Sequence, residues 1–236
     1  MQCSRCRKEP VVYQPYSGQY LCRDHFIADF EAKVKRAIRM HRWMQPGDHI
    51  GVPVTGSSSG RALVFFLRNL TEKRRDIRVS PIPSCQEYGD CQTPAGESGI
   101  TKIAIATGLE DTAADILTGI LRGNAAICFP RCNPAGPLLI APFSHIPAGE
   151  IAVYARIHGI TGEEPGCRKD DDPFHEDVKA MLIGYSRHHP AAPHAVLNLC
   201  DTIGTVTGRK HGDKQDTSSG SGACTGGTDQ LKKMPR

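Results

Sequence analysis

Apolar and polar residues alternate in blocks along the middle of the chain, and the block lengths predict strands and helices in turn. Three short runs have the length of buried strands, and two of them lead through a loop into apolar residues at helical spacing. The predicted strands are Ile50 to Thr55, Asp76 to Ser80 and Thr101 to Thr107, and the predicted helices are Arg61 to Arg75 and Asp111 to Arg122. This alternation favours an α/β domain that opens with a strand, a loop and a helix, as nucleotide-binding domains do.

Helical periodicity without strands characterises the regions on either side. A helix is predicted from Phe26 to Trp43, and three more are predicted over Pro147 to Gly159, Pro173 to His189 and Pro193 to Ile203. Residues 125–146 are expected to be mostly loop. The end of the chain is rich in Gly, Ser, Thr and Lys, so it is expected to be disordered. The predicted parts are residues 1–25, a basic linker helix at 26–45, an α/β domain at 46–145, a helical extension at 146–206 and a tail at 207–236.

Residues 1–25 contain four potential metal ligands at a characteristic spacing. Cys3 and Cys6 form a Cys-x2-Cys pair, and fifteen residues later Cys22 and His25 form a Cys-x2-His pair. Two tight turns that each present two soft donors can converge on one tetrahedral ion. Because all four positions are filled by protein ligands, the spacing predicts a structural zinc finger and not a catalytic zinc site.

Positive charge is concentrated at the start of the chain. Residues 1–45 carry nine Lys and Arg against four Asp and Glu, a net charge of +5, whereas the whole chain carries +4. A basic module on a nearly neutral body is typical of a protein that binds a phosphate-rich partner such as RNA. The alternative is that these charges form an ordinary solvated face of the helix.

Ten cysteines without a secretory signal indicate a reducing compartment, so a soluble, cytoplasmic protein is expected. The longest uncharged stretch, Cys132 to Gly149, contains four prolines and is therefore excluded as a membrane span.

A second candidate site lies between the first strand and helix of the α/β domain. Its sequence is Thr55-Gly56-Ser57-Ser58-Ser59-Gly60. Small residues at this position leave backbone N–H groups available to hold phosphate at a helix N-terminus. A generic strand-to-helix turn would have the same composition.

Taken together, these motifs resemble one family. The Cys3/Cys6/Cys22/His25 finger is followed by a basic helix, IGVPVTGSSSGRALVFFL, TKIAIATGLEDTAADILTGILRGN and IPAGEIAVYARIHGI. The order is similar to that in tRNA 2-thiouridine synthetases of the cytoplasmic 2-thiolation type, which belong to the PP-loop ATP-pyrophosphatase superfamily. The resemblance implies a Rossmann-like PP-loop fold. It also implies an activity in which ATP adenylates the C2 oxygen of a tRNA uridine and sulfur then replaces that oxygen.

The family's nucleotide motifs carry over with substitutions. Its phosphate loop, Ser-Gly-Gly-x-Asp-Ser, corresponds here to Thr55, Gly56, Ser57, Ser58, Ser59 and Gly60, so the loop has lost its acid. The second motif, Gly-His-x-x-Asp-Asp, is shortened to Gly108-Leu109-Glu110-Asp111, with Gly108 and Asp111 as its remnants. Pro53 also removes a ladder donor from the first strand. The predicted contacts to ATP and Mg²⁺ are Thr55, Gly56, Ser57, Ser58, Ser59, Gly108 and Asp111.

The resemblance further implies an iron–sulfur cluster held by three cysteines. Cys85, Cys91 and Cys167 are the predicted ligands, although the first two are separated by five residues and not by the family's two. Cys128 and Cys132 could substitute for that pair. Three thiolates that converge on iron are chemically sensible, but ordinary cytosolic thiols would give the same sequence.

Two functions remain open at this point. The first is tRNA uridine 2-thiolation, with tRNA as substrate, a small sulfur-carrier protein as partner and a homodimer as assembly. The second is a degenerate, non-catalytic paralogue that keeps the finger as an RNA- or protein-binding module. The second is favoured by the altered loop, by the short connection between Arg75 and Cys85, which leaves no room for one strand–helix unit, and by the lack of a C-terminal zinc finger.

Overall fold

The computed structural model describes residues 1–54, 56–83, 99–124, 137–162 and 172–206. The predicted disordered tail lies outside them. No described helix is both long and apolar enough to cross a membrane. The elements in chain order are β1 (Val12–Gln14), β2 (Gln19–Leu21), α1 (Arg23–Met40), β3 (His49–Val54), α2 (Ser58–Thr71), β4 (Arg78–Pro83), β5 (Lys102–Ala104), α3 (Leu109–Leu121), β6 (Leu138–Ile140), α4 (Ala148–Ile157), α5 (Pro173–Ser186) and α6 (Ala192–Val206).

A four-stranded parallel sheet forms the centre of the α/β domain, in the order β4-β3-β5-β6. The strand order reverses between β3 and β5, because the chain first builds outward to β4 and then returns to the other side of β3. In open parallel sheets, ligands bind at the carboxyl ends of the strands beside such a reversal. The predicted α/β fold is therefore confirmed, and the loops that follow β3 and β5 occupy its expected binding edge.

Several predicted boundaries are wrong by a few residues for identifiable reasons. Helix α1 begins at Arg23 and not at Phe26, since Cys22 is its N-cap and His25 lies inside the first turn. Helix α2 begins at Ser58, because the Ser57 hydroxyl caps it. Strand β4 begins at Arg78, where its pairing with His49 starts.

One strand of the four-stranded sheet was missed altogether. Leu138–Ile140 forms β6 within a stretch that the sequence predicted as loop, and it pairs with β5 from Lys102 to Ala104. With only three residues, in a stretch bounded by Pro137 and Pro142, the strand is too short to produce a recognisable pattern.

Pro53 is accommodated without breaking the sheet. Strand β3 pairs with β5 only at Ile50 and Gly51, so Pro53 lies beyond the end of that ladder. Its other neighbour, Ile82 of β4, lies on a strand that itself contains two prolines and sits at the edge of the described sheet.

Helix α1 packs into the same core as the sheet. Its apolar face contributes Phe26, Phe30 and Val34, all fully buried. The Phe30 ring stacks on Tyr154 of α4 at 4.1 Å between centroids and meets Phe143 edge-on at 5.4 Å. The helix that follows the cysteine-rich module is therefore anchored to the α/β domain by aromatic packing.

Replacing Phe30 by Ala is expected to destabilise the fold strongly. Removing a fully buried ring from a close-packed core costs about 3–5 kcal/mol, since the cavity is only partly refilled. Urea unfolding followed by circular dichroism measures the loss. Met181→Ala is the control, because this side chain is 56% exposed; a loss for Phe30→Ala no larger than for this control would contradict the anchoring role.

A second, smaller core joins the last two helices to α3. Leu109, Ala113 and Ala114 of α3 pack against Leu182 of α5 and Leu197 of α6. Helices α5 and α6 match two of the three predicted extension helices, and α4, the third, packs instead on α2 in the main core.

Candidate functional site

The four predicted ligands of the N-terminal module converge. The His25 Nδ1 atom lies 3.5 Å from Cys3 Sγ and 3.4 Å from Cys22 Sγ, and Cys6 Sγ lies 3.7 Å from Cys22 Sγ. All four donor atoms lie within 4.8 Å of one another. A tetrahedral ion with metal–sulfur bonds of about 2.3 Å and metal–nitrogen bonds of about 2.0 Å would give edges of about 3.5–3.8 Å. The arrangement therefore fits a four-coordinate metal ion.

Local backbone hydrogen bonds set up this geometry. The Cys6 amide donates to the Cys3 carbonyl at 3.3 Å, which closes the first turn, and the Arg5 amide donates to Cys3 Sγ at 3.5 Å. The β1–β2 hairpin returns the chain so that Cys22 faces this turn. Burial raises the pKa of the Cys3 thiol, but the Arg5 amide and the other hydrogen bonds to the sulfur outweigh it and lower the pKa to about 6. Cys3 is thus predisposed to the thiolate form that binds metal.

The basic surface of α1 is narrower than the sequence suggested. Lys33 pairs with Asp29 at 2.6 Å and with Glu150 of α4 at 3.6 Å, and Lys35 pairs with Glu31 at 2.7 Å. Arg36, Arg39 and Arg42, in contrast, are exposed. These three arginines at the end of α1 form what we call the arginine edge.

The phosphate-loop candidate lies at the carboxyl end of β3, as predicted, although Thr55 lies outside the described residues. Gly56 adopts a φ of +83°, which L-residues rarely tolerate. The Ser57 hydroxyl accepts a hydrogen bond from the Gly60 amide at 3.2 Å and another from the Ser59 hydroxyl at 3.3 Å. One of the amides that a phosphate would use is therefore already occupied by the side chain of Ser57.

Gly162 lies directly on this loop. A Cβ atom added to Gly162 would meet the Gly56 carbonyl oxygen at 2.5 Å and the Ser58 nitrogen at 2.6 Å. The adjacent Thr161 carbonyl accepts a hydrogen bond from the Arg61 guanidinium at 2.7 Å. The segment after α4 is therefore held against the start of α2, a contact that sequence spacing gave no means of predicting.

The second nucleotide motif lies at the N-terminus of α3, after β5. Gly108 is the N-cap, and its Cα faces the Ile146 carbonyl and the Ile151 side chain closely enough that a Cβ would stand 3.4 Å from each. Asp111 forms an ion pair with Lys179 of α5 at 2.8 Å. Glu110 accepts a hydrogen bond from the Ala148 amide at 2.9 Å, and burial raises the pKa of its carboxyl group.

Of the three predicted sets of site residues, the structure describes the metal ligands and most of the nucleotide contacts, but not the cluster ligands. The four ligands of the N-terminal module lie together. Gly56, Ser57, Ser58 and Ser59 follow β3, and Gly108 follows β5, the neighbouring parallel strand. The proposed cluster ligands Cys85, Cys91 and Cys167, together with Cys128 and Cys132, lie outside the described residues. Glu110 and Gly162 are the candidate site residues that the sequence reasoning missed.

Sequence comparison matches the N-terminal module to a family and most of the chain to a known protein. Residues 2–27 match the family described as "2-thiouridine synthetase TtuA, N-terminal LIM domain". The chain is 31% identical to the tRNA-5-methyluridine(54) 2-sulfurtransferase of Pyrococcus horikoshii over an alignment of 247 positions. This alignment covers 80% of this chain and 78% of that protein. It is also 34% identical over 70 residues to the cytoplasmic tRNA 2-thiolation protein 1 of Drosophila willistoni, a match that spans only 20% of that relative.

The fold has a solved counterpart. The U34-tRNA thiolase NcsA from Methanococcus maripaludis, solved with its [4Fe-4S] cluster, superposes with a TM-score of 0.70 over 86% of this chain and 87% of that one. Sequence identity in this superposition is 13%, so it supports the fold alone.

Proposed function

The chain belongs to the tRNA 2-thiouridine synthetase family, and we propose on that premise that it catalyses ATP-dependent 2-thiolation of a tRNA uridine in the cytoplasm. The observation that carries the proposal is the contact of Gly162 with Gly56 and Ser58. It holds the segment that leads to Cys167 against the loop that would bind ATP. Cys167 comes five positions after Gly162 in the sequence, a stretch of at most about 18 Å even when fully extended.

The chemistry of the family needs these two parts side by side. The C2 oxygen of the uridine attacks the α-phosphorus of ATP and pyrophosphate leaves. The adenylated oxygen is then a good leaving group, so a sulfur nucleophile can add at C2 and expel AMP. In the proposed arrangement, the amides of Ser58 and Ser59 at the start of α2 face the phosphates. The proposed Cys85, Cys91 and Cys167 would hold an iron–sulfur cluster that supplies sulfur chemistry when bound.

We assign the metal of the N-terminal module to zinc. Three thiolates and one imidazole at edges of 3.4–3.7 Å suit its tetrahedral preference and its affinity for sulfur and nitrogen. Because four protein ligands leave no open position, the role of the ion is to fix the hairpin on α1. The arginine edge of that helix is the proposed tRNA contact. A sulfur-carrier partner and a homodimer stay predictions from the family resemblance.

A specific observation supports the alternative function, a tRNA-binding relic without catalysis. The Ser57 side chain occupies the Gly60 amide, Ser59 stands where the family has an acid, and Asp111 is ion-paired with Lys179. Each change weakens binding of a pyrophosphate with its Mg²⁺.

The deciding experiment uses protein reconstituted anaerobically with iron and sulfide. It measures AMP release that depends on tRNA, and the formation of 2-thiouridine in that tRNA. We expect both products from the unmodified chain, and loss of 2-thiouridine in Cys167→Ser. The control is Cys200→Ser, which changes a cysteine of the second core. Tight tRNA binding without AMP would favour the relic.

Loop repair distinguishes a weakened enzyme from a relic. The double substitution Ser57→Gly with Ser59→Asp frees the Gly60 amide and restores the acid, so ATP affinity is expected to rise about tenfold with Mg²⁺ present. One charge-assisted hydrogen bond or metal contact contributes about 1.5–3 kcal/mol, which more than suffices for that change. Isothermal titration measures it, with Ser17→Gly in the hairpin as control. An unchanged affinity would place the limiting defect outside this loop.

The arginine edge should carry part of the tRNA affinity. Replacing both Arg36 and Arg39 by Ala is expected to weaken binding and to reduce the slope of affinity against salt by about one per lost phosphate contact. Lys35→Ala is the matched control, since Lys35 is already paired with Glu31. Fluorescence titration at several salt concentrations measures both quantities. Equal effects of the control and the double variant would contradict a specific contact.

A further inference from the structure

Three metal-ligating side chains from distant parts of the chain meet, and none of them belongs to the residue sets described above. His41 is the C-cap of α1, His145 lies between β6 and α4, and Asp201 lies on α6. One potential ligand atom from each lies within 4.8 Å of the other two, and the His41 Nε2 to Asp201 Oδ1 distance is 3.9 Å. Within the described residues, the finger and this cluster are the two groups with such geometry.

We propose that His41, His145 and Asp201 form a second metal site, which takes a divalent late first-row transition ion such as Zn²⁺. Imidazole nitrogen selects for this part of the series, whereas Mg²⁺ and Ca²⁺ prefer all-oxygen sites. Two imidazoles and one carboxylate leave at least one coordination position for water. The site therefore differs in kind from the closed finger, which has four protein ligands.

The surroundings hold two of the ligands in place. The His41 ring stacks on Trp43 at 4.5 Å and lies nearly parallel to the His145 ring at 6.1 Å. Trp43 is itself buried, and the His41 side chain is only 11% exposed, whereas that of Asp201 is 34% exposed. An ion can therefore enter from the carboxylate side and reach imidazoles that are already ordered.

The His41–Asp201 pair needs only a small movement to bind a common ion. A tetrahedral ion bound to nitrogen and oxygen at about 2.0–2.1 Å needs ligand edges of about 3.4 Å. The His41–Asp201 edge would therefore shorten by about half an ångström from its 3.9 Å. Of the charged groups that act on His145, Asp201 attracts a cation and Arg36 repels it. Arg36 is exposed, and solvent screens its repulsion of the ion.

The proposed ion would connect the two ends of the described chain. Helix α6 packs on α3 and α5 in the second core, whereas α1 belongs to the main core and follows the finger directly. A bond from Asp201 through the metal to His41 would link these two cores. Binding would therefore stabilise α6 against its neighbours by mass action.

Cobalt titration tests the site directly. Protein whose finger is loaded with one equivalent of zinc is titrated with Co²⁺ and followed by visible absorption. We expect one further equivalent to bind with d–d bands and without the thiolate-to-cobalt charge-transfer band that the finger would give. His145→Ala and Asp201→Asn should each weaken this binding at least tenfold. Far-UV circular dichroism checks that both variants remain folded.

His49→Ala is the matched control, because His49 is another partly buried histidine, hydrogen-bonded to Ser80 at 2.9 Å. It should bind the further equivalent as the unmodified chain does. The proposal is overturned if cobalt enters only with the thiolate band, if no further equivalent binds, or if both site variants bind it as tightly as the His49→Ala control.

Discussion

Replacing Cys22 by Ser is expected to release the N-terminal metal ion and to unfold residues 1–22. A serine hydroxyl is a poor ligand for zinc, and the three remaining donors leave the site open to water. Structural zinc sites contribute roughly 10–16 kcal/mol of apparent binding free energy, which in such modules is folding free energy. Its two strands are only three residues each, so the hairpin alone supplies few backbone hydrogen bonds. Metal analysis after dialysis measures the release, and limited proteolysis measures the unfolding.

The same change should also reach the α/β domain. Tyr16, in the hairpin turn, donates a hydrogen bond to Glu150 of α4 at 2.5 Å, and Leu21 is buried in the main core. Loss of the module would therefore leave Glu150 beside Lys33 alone and expose part of that core. Cys200→Ser is the control, because it alters a buried cysteine on α6 without touching the four ligands. Full metal retention by Cys22→Ser, or equal release by the control, would contradict the assignment.

The finger could be predicted from the sequence because its chemistry is local. Four ligands at fixed spacing leave little freedom for other pairings, and in the structure their donor atoms lie within 4.8 Å of one another. The α/β fold could be predicted for a similar reason, since strand-to-helix alternation repeats a pattern that topology rules then constrain. Strand β6 could not be predicted, because a strand of three residues is too short to show a periodicity.

The candidate nucleotide loop shows which features could not be predicted from the sequence. The substitution of Ser57 for a glycine is visible in the sequence, but its consequence, a side chain that caps its own helix, depends on the geometry. Asp111 could be aligned with a family motif, yet its pairing with Lys179 depends on how α5 packs against α3. The basic residues of α1 likewise look equivalent in the sequence, whereas in the structure Lys33 pairs with Glu150 of α4. Long-range packing decides the last two, and no local pattern encodes it.

The contact between Gly162 and the candidate phosphate loop predicts that Gly162→Ala will abolish most of the proposed ATP-dependent activity. The new Cβ would stand 2.5 Å from the Gly56 carbonyl oxygen, 2.6 Å from the Ser58 nitrogen and 2.8 Å from the Ser57 carbonyl carbon. All three are backbone atoms, which cannot rotate away as a side-chain end would. The loop or the segment must therefore shift, and a displacement of about 1 Å at a reacting centre costs on the order of a hundredfold in rate. AMP release in the presence of tRNA measures the loss.

Gly149→Ala is the matched control, because it changes a glycine of the neighbouring helix α4 whose added Cβ would meet no atom within 4 Å. It should retain activity, and alanine should even favour that helix. tRNA binding should survive in both variants, since the arginine edge lies on α1 and does not include the loop. Gly162→Ala with the activity of Gly149→Ala would show that the loop and the segment before Cys167 work independently. Loss of ATP-dependent activity with tRNA affinity intact would instead tie the segment to the nucleotide step.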